Sequence, residues 1–427
     1  MHKKHGALSW ADVIAPSIKL ARYGFTVNED LVSYFNRVSN NQFLWEDPAW
    51  AIDFAPEGTL LGLGDTMTRK RYANTLEAIA ERGSDAFYTG AIANATIVAL
   101  QAADGTMTLE DLAAYEVEAR EPVSINYRGH KATSVGAPSS GVVGLSALNT
   151  ISGYEGFDDP AQRNLSAHRL DQAFRFAYAQ RAELGDPSFV DGLDEFMEQM
   201  LSDELAEEIR SKIVDDKAFG IEYYNPDGLE SIDTPGTAHI STADANGMAV
   251  SLTTTVNLLF GSRLIVPETG VIMNNEMNDF SIPGKENAFG YAPSPSNFVR
   301  PGKRPLSSIT PIIVETKDGG LYYVIGAAGG SRIITSTIQN VVSVVDRGLS
   351  VADALAEPRL HDQLSPSEVS FEYTYDNSTV AYLEALGHNV TWVAPGQSAV
   401  QGARLLSSGI FEAAGEPRQK NSGGSVA

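Results

Sequence analysis

The sequence contains no cysteine. Disulfides, thiolate metal sites and a cysteine nucleophile are therefore excluded. No run approaches the ~18 consecutive apolar residues that a membrane-spanning helix needs. The first residues, Met-His-Lys-Lys-His-Gly, lack the apolar centre of a secretory signal. Positive charge is scarce: 31 Lys and Arg stand against 54 Asp and Glu, a formal net charge of −23. Such a surface repels phosphate backbones and argues against a nucleic-acid partner. Repeats and low-complexity tracts are missing too. What is present is globular: 427 residues, 43% hydrophobic and 9% aromatic. That is enough for a large core and exceeds the usual size of one domain.

Apolar spacing of three and four runs through residues 9–22, with Ser9 as N-cap and Gly24 as stop. Further helices are predicted over 28–37, 69–82 and 85–102, and Thr108-Leu-Glu-Asp has the form of a capping box. The pattern then switches to alternation in 123–127 and 131–135, a hairpin around Tyr127-Arg-Gly-His. Pro138-Ser139-Ser140-Gly141 leads into an apolar run over 142–151. A glycine-containing turn before a helix can hold a phosphate. The spacing of a Walker or dinucleotide loop is missing, so the turn reads as a strand–helix connection. A long helix is predicted over 166–184. Residues 186–236 are acidic and end in two turn signatures, Asn225-Pro-Asp-Gly and Asp233-Thr-Pro-Gly. Farther on come a hairpin over 309–315 and 321–325 and helices over 332–345, 351–355 and 380–386. Strands paired as hairpins, with helices in blocks on either side, point to an α+β sandwich.

The stretch 235–279 organises the rest. Apolar and hydroxyl residues alternate on both sides of Ala245-Asn246-Gly247, and Asn-Gly between β-prone runs signals a hairpin because both residues tolerate positive φ. Thr237 opens one strand; Thr253, Thr255 and Asn257 close the next. If the Gly236–Thr237 bond breaks, the Thr237 hydroxyl and its new α-amine lie on one residue, joining nucleophile to base. The loop before it suits a cleavage point, since strands in a sheet are hard to cut. On residue types alone, Gly-Thr at a strand start is usually an ordinary turn.

Six motifs in order narrow the choice. Thr237-Ala238-His239, Thr255-x-Asn257, Phe260-Gly261-Ser262, Asn274-Asn275-Glu276-Met277-x-Asp279-Phe280-Ser281, Arg304-Pro305-Leu306-Ser307-Ser308 and Gly329-Gly330-Ser331-Arg332 resemble the gamma-glutamyltransferase family. Weaker similarity runs from Trp10 to the tail. The resemblance implies a four-layer αββα fold of the N-terminal-nucleophile hydrolase type. It implies self-cleavage between Gly236 and Thr237 into a large-subunit portion, 1–236, and a small catalytic subunit, 237–427, in one intertwined fold. It implies removal of the γ-glutamyl group from glutathione and related γ-glutamyl compounds, with transfer to water, amino acids or dipeptides. No cofactor or metal is required.

The same resemblance distributes the roles. Thr237 is the nucleophile, and Thr255 orients its hydroxyl. Gly329 and Gly330, where a strand turns into a helix, present backbone N–H groups to an oxyanion. Glu276 and Asp279, with Asn257, receive the glutamyl α-amine; Asn278 stands where many relatives carry an acid. Ser307 and Ser308 receive the α-carboxylate. The 280–303 loop has lid length, and Phe289 is expected over the ligand. His239 reads as structural. Family members begin with an export signal or membrane anchor, followed by a segment bearing a carboxylate-binding arginine; neither has a counterpart here. An extracellular, vacuolar or membrane-anchored full-length form is implied, and four sequons, at Asn94, Asn164, Asn377 and Asn389, suit glycosylation there. Two alternatives stay open: a related acylase of the cephalosporin or glutaryl type, and an inactive fragment.

Overall fold

The computed structural model describes residues 1–225, 228–230, 237–285 and 292–426. They fall into two compact units, residues 1–119 with 258–275 and residues 120–257 with 276–427.

The first unit is helical. Helix Trp10–Tyr23 starts at Ser9, whose side chain accepts from Asp12 N, and helix Glu29–Arg37 starts at Asn28, which accepts from Leu31 N. The continuous helix predicted over 85–102 is interrupted. Asp85–Tyr88 ends at Thr89, and Gly90, at φ +74°, restarts the chain into Gly90–Ala102. Helices Phe43–Glu46 and Pro48–Phe54 carry no clear periodic signal in sequence. They bury Leu44, Trp50 and Phe54 beside Val27 and Phe35. Phe260, from the 258–275 loop, joins this aromatic cluster, with ring centroids 5.9 Å from Trp50 and Phe43. Trp50 Nε1 donates to Arg263 O at 3.1 Å. Leu258 N donates to Asn275 Oδ1 at 2.9 Å, which closes the loop at its base.

The second unit is built on six antiparallel strands. They are β1 (Pro122–Tyr127), β2 (His130–Val135), β5 (Ile312–Glu315), β6 (Leu321–Ala328), β7 (Ala399–Leu405) and β8 (Phe411–Ala414), in the order β8-β7-β6-β5-β2-β1; β3 (Thr237–Ala243) and β4 (Ala249–Thr255) form a separate hairpin. Strands from before and after residue 237 therefore share one sheet, with Thr133 opposite Ile313 and Ala132 opposite Val314. Three helices contribute much of the core: α1 (Gly141–Ser152), α2 (Arg163–Arg181) and α3 (Arg332–Val345). Side chains alternate along β6. Tyr323, Ile325 and Ala327 join the apolar cluster of the helices. Gly326 points the other way, where a Cβ would meet the His239 ring at 2.2 Å. The sheet is thus covered by helices on one face and by the β3–β4 hairpin on the other.

The hairpin forms in the predicted place, but its turn differs. Residue pairing ends at Ala243 and Ala249. Asp244 Oδ1 caps the five-residue loop by accepting from Asn246 N and Met248 N, both at 2.9 Å. Of Asn246 and Gly247, only Gly247 has positive φ, +83°. The face turned to the sheet is the hydroxyl face. Ser251 Oγ donates to Ile325 O and Ser241 Oγ to Gln401 O. Ile240 and Leu252, opposite each other in register, are 53% and 42% exposed.

Candidate active site

Thr237 and Thr255 are partners in the first register pair of the hairpin. Both side chains are half-buried on its inner face. Thr237 Oγ1 donates to Thr255 Oγ1 at 3.2 Å, and Thr255 Oγ1 also accepts from Asn257 N at 2.8 Å. A hydroxyl that gives its proton to a fixed neighbour keeps its lone pairs for attack. His239, two residues on, is buried; its ring nitrogens face Thr253 Oγ1 at 2.8 Å and Ser241 Oγ at 3.0 Å. Burial pushes its pKa down to about 4, so the ring is neutral at neutral pH. Gly236 lies outside the described residues.

The Asn257 backbone is left-handed, φ +72°, and its side chain is buried. Asn257 Nδ2 donates to Asp279 Oδ1 at 2.7 Å. Glu276–Asp279 is one 3-10 turn. In that geometry residues i and i+3 eclipse, so the two acids face one another. Burial first, then the hydrogen bond and the charge of Asp279, push the Glu276 pKa up to about 8. Glu276 therefore holds its proton at neutral pH, and a cation placed between the acids would release it. The neighbouring amides separate in role. Asn275 serves the base of the 258–275 loop, and Asn278 is exposed.

Asn297 ties this turn to the serines. Its Nδ2 donates to Asp279 O at 2.6 Å, and its Oδ1 accepts from Leu306 N at 3.0 Å, one residue before Ser307. Ser281 N donates to Asn297 O at 3.0 Å. The described ends of the 280–303 loop are thus bonded to each other; Phe289 lies outside the described residues. Asp186, fully buried, holds the entry to the serine segment. It accepts from Arg304 N at 2.9 Å and pairs with Arg120 at 2.9 Å. Ser307 and Ser308 are half-buried.

Gly329 and Gly330 sit between β6 and α3 with φ of +131° and +63°, values that L side chains rarely adopt. A Cβ on Gly329 would also lie 2.6 Å from Gln397 O. Ser331 is held from behind: its carbonyl accepts from Tyr178 OH at 2.6 Å, and its hydroxyl bonds Gln363. The turn thus leads into the N-terminus of α3, where Ile333 N donates to Gly330 O at 3.1 Å and Ile334 N to Ser331 O at 3.3 Å. Gly326, packed on His239, places this end of β6 near the Thr237 strand.

One chain of bonds therefore brings together Thr237, Thr255, Asn257, Asp279 and the approach to Ser307. Asn297 and Asp186 are absent from the sequence reading. Nothing local marks them, because an Asn in a Pro/Ser-rich loop and an Asp after a helix both read as surface turn residues. Among the described residues no cluster of three or more His, Asp or Glu is arranged to hold a metal.

Known proteins resemble this chain along its whole length. It is 56% identical over 427 residues to a glutathione hydrolase proenzyme of Arthroderma benhamiae, covering 100% of this chain and 73% of that protein. A glutathione hydrolase of Aspergillus flavus is 47% identical over 431 residues, with coverage of 100% and 73%. Among solved structures, the cephalosporin acylase from Bacillus halodurans matches with a TM-score of 0.82 at 28% identity, covering 100% of this chain and 75% of that one. This likeness places the fold in the αββα N-terminal-nucleophile class, while the higher identities favour the hydrolases over the acylase. The family model described as Gamma-glutamyltranspeptidase matches residues 1–426. A chain matched over that length, with its paired threonines and facing acids in one bonded set, belongs to the gamma-glutamyltranspeptidase family.

Proposed function

We propose that this chain is a self-cleaving threonine enzyme that takes the γ-glutamyl group from glutathione and related compounds. In the intact chain the Thr237 hydroxyl attacks the Gly236 carbonyl, and the peptide nitrogen leaves as the α-amine of Thr237. Water then opens the resulting ester. In the second stage the free amine takes the Thr237 hydroxyl proton as the oxygen attacks the γ-carbonyl. The Gly329 and Gly330 amides receive the oxyanion. The departing amine takes a proton, leaving a γ-glutamyl ester on Thr237. Water, or the amine of an acceptor amino acid or dipeptide, releases the group and restores the hydroxyl.

The observation that carries this reading is the Thr237–Thr255 hydroxyl bond at the head of the hairpin. Glu276 and Asp279 take the α-amine, and Ser307 and Ser308 the α-carboxylate. An acylase whose substrate has no α-amine has little use for facing acids, so their geometry favours the γ-glutamyl substrate. The large-subunit portion, 1–236, and the small subunit, 237–427, remain joined after cleavage because β2 and β5 pair across the two. An extracellular, vacuolar or membrane-anchored full-length form is carried by the family alone. Among the described residues no helix is long and apolar enough to cross a membrane.

Denaturing electrophoresis of the purified chain tests the reading. Two bands are expected, the smaller beginning at Thr237 on N-terminal sequencing, and Thr237→Ala leaves one band and no γ-glutamyl anilide hydrolysis. A smaller piece beginning at any other residue sinks the nucleophile assignment.

A further inference from the structure

Arg181, the last residue of α2, is 2% exposed. Its Nε donates to Ser140 Oγ at 3.0 Å, and its Nη2 donates to Ser308 Oγ at 3.0 Å. Ser140 belongs to the Pro138–Gly141 turn, which the reaction leaves without a role. That turn is stitched to the serine segment. Ser140 Oγ donates to Ser307 O at 2.6 Å, Ser140 N to Ile309 O at 3.0 Å, and Ser307 N to Pro138 O at 2.7 Å.

The direction of these bonds matters. A guanidinium only donates, so Ser308 Oγ is an acceptor towards the interior and its hydrogen must point elsewhere. Ser307 Oγ likewise accepts, from Ile309 N at 3.3 Å. Two hydroxyls used as acceptors from behind are left as donors in front. A hydroxyl that accepts from a cation is also a stronger donor, because the bond polarises it. An anion on Ser308 would lie about 5–6 Å from the guanidinium, two hydrogen-bond lengths away. At that distance, in a partly buried site, their attraction is substantial.

From this geometry we infer that Arg181 is the positioning residue of the carboxylate subsite: it turns Ser308 into an outward donor and supplies the positive charge that makes the site prefer a carboxylate to its neutral amide. The inference rests on the reading that Ser307 and Ser308 hold the α-carboxylate. Ser140 fixes the guanidinium from the other side.

The test compares γ-glutamyl anilide with its α-carboxamide counterpart, using the full chain and following self-cleavage as the sign of a native fold. In Arg181→Met, kcat/KM for the acid falls by about 10- to 100-fold, the worth of a charge-assisted hydrogen bond. The loss lies mainly in KM. The carboxamide changes by less than about threefold, so the preference for the acid collapses. Arg181→Lys restores part of it, which loss of packing alone does not predict. If Arg181→Met fails to self-cleave, Arg181→Lys and Ser140→Ala carry the measurement, each lowering the preference by about three- to tenfold. Ser308→Ala separates the two levels. An unchanged preference there overturns the serine assignment itself. A collapse in Ser308→Ala together with an unchanged preference in the Arg181 and Ser140 variants overturns the role of Arg181 alone.

Discussion

The two ends of the proposed glutamyl site meet opposite charges by opposite means. The amine end uses direct charge: Glu276 and Asp279 face each other on one 3-10 turn. Burial first, then the hydrogen bond and the charge of Asp279, raise Glu276 to about 8. The carboxylate end presents neutral hydroxyls, with the Arg181 guanidinium one layer behind Ser308. Charge in the first layer makes the amine end depend on pH. Charge held back leaves the carboxylate end indifferent to pH across the neutral range, because a guanidinium does not titrate there. Asn297 bonds to both ends and fixes their separation.

The largest break comes at the amine end. Asp279→Ala removes a charge partner of the substrate and the acceptor of Asn257 Nδ2 together. Truncating one side of a buried, hydrogen-bonded charge contact costs about 2–5 kcal/mol, so kcat/KM for γ-glutamyl anilide is expected to drop by roughly 30- to 5,000-fold. Asp279→Asn, which keeps an acceptor, should lose less. Equal losses in the two variants would mean that charge is not what this position supplies.

Breaking the tie should hurt both ends at once. Asn297→Ala leaves Asp279 O and Leu306 N without their buried partner. Each unsatisfied group costs about 1–3 kcal/mol, so denaturant unfolding should register a loss of about 2–6 kcal/mol. Catalysis should fall by about 10-fold or more, for γ-glutamyl anilide and for its α-carboxamide alike. A defect confined to one substrate would show that the two ends are positioned independently.

The pH dependence sharpens the contrast. Below about pH 8 an ammonium ligand has to displace the Glu276 proton. KM should therefore fall as pH rises from 6 to 8, by at most about tenfold per unit for one proton. Glu276→Gln should flatten the profile, and Arg181→Lys should leave its shape intact. Stability without substrate runs the other way. A carboxyl raised from 4.5 to about 8 contributes fully below 4.5 and loses that contribution as pH climbs through 8. Thermal unfolding at pH 5 and pH 8, in the native chain and in Glu276→Gln, reads that difference. A native KM independent of pH would contradict the proton exchange.

The smallest effect is expected at Asn278, exposed between the two acids. Asn278→Asp adds a well-solvated charge near the amine end. KM should fall by no more than about threefold, and less at high salt.

Local chemistry settled much of this protein. Alternation with a central turn placed the β3–β4 hairpin and put Thr237 opposite Thr255. A spacing of three set Glu276 against Asp279. Capping residues Ser9, Asn28 and Thr108 start their helices where the sequence put them. These features depend on neighbours within a few residues, which is the range over which periodicity and capping act. The tertiary structure decided which face of the hairpin is buried: the hydroxyls turn in because carbonyls of β6 and β7 accept from them. It also decided the support of the site. Arg181 meets Ser308 across 127 positions, Asp186 meets Arg304 across 118, and Ser140 meets Ser307 across 167. No local pattern spans such separations. A charged residue late in a helix reads as surface by composition, and only the packing of α2 behind the serine segment, which buries Arg181, shows otherwise.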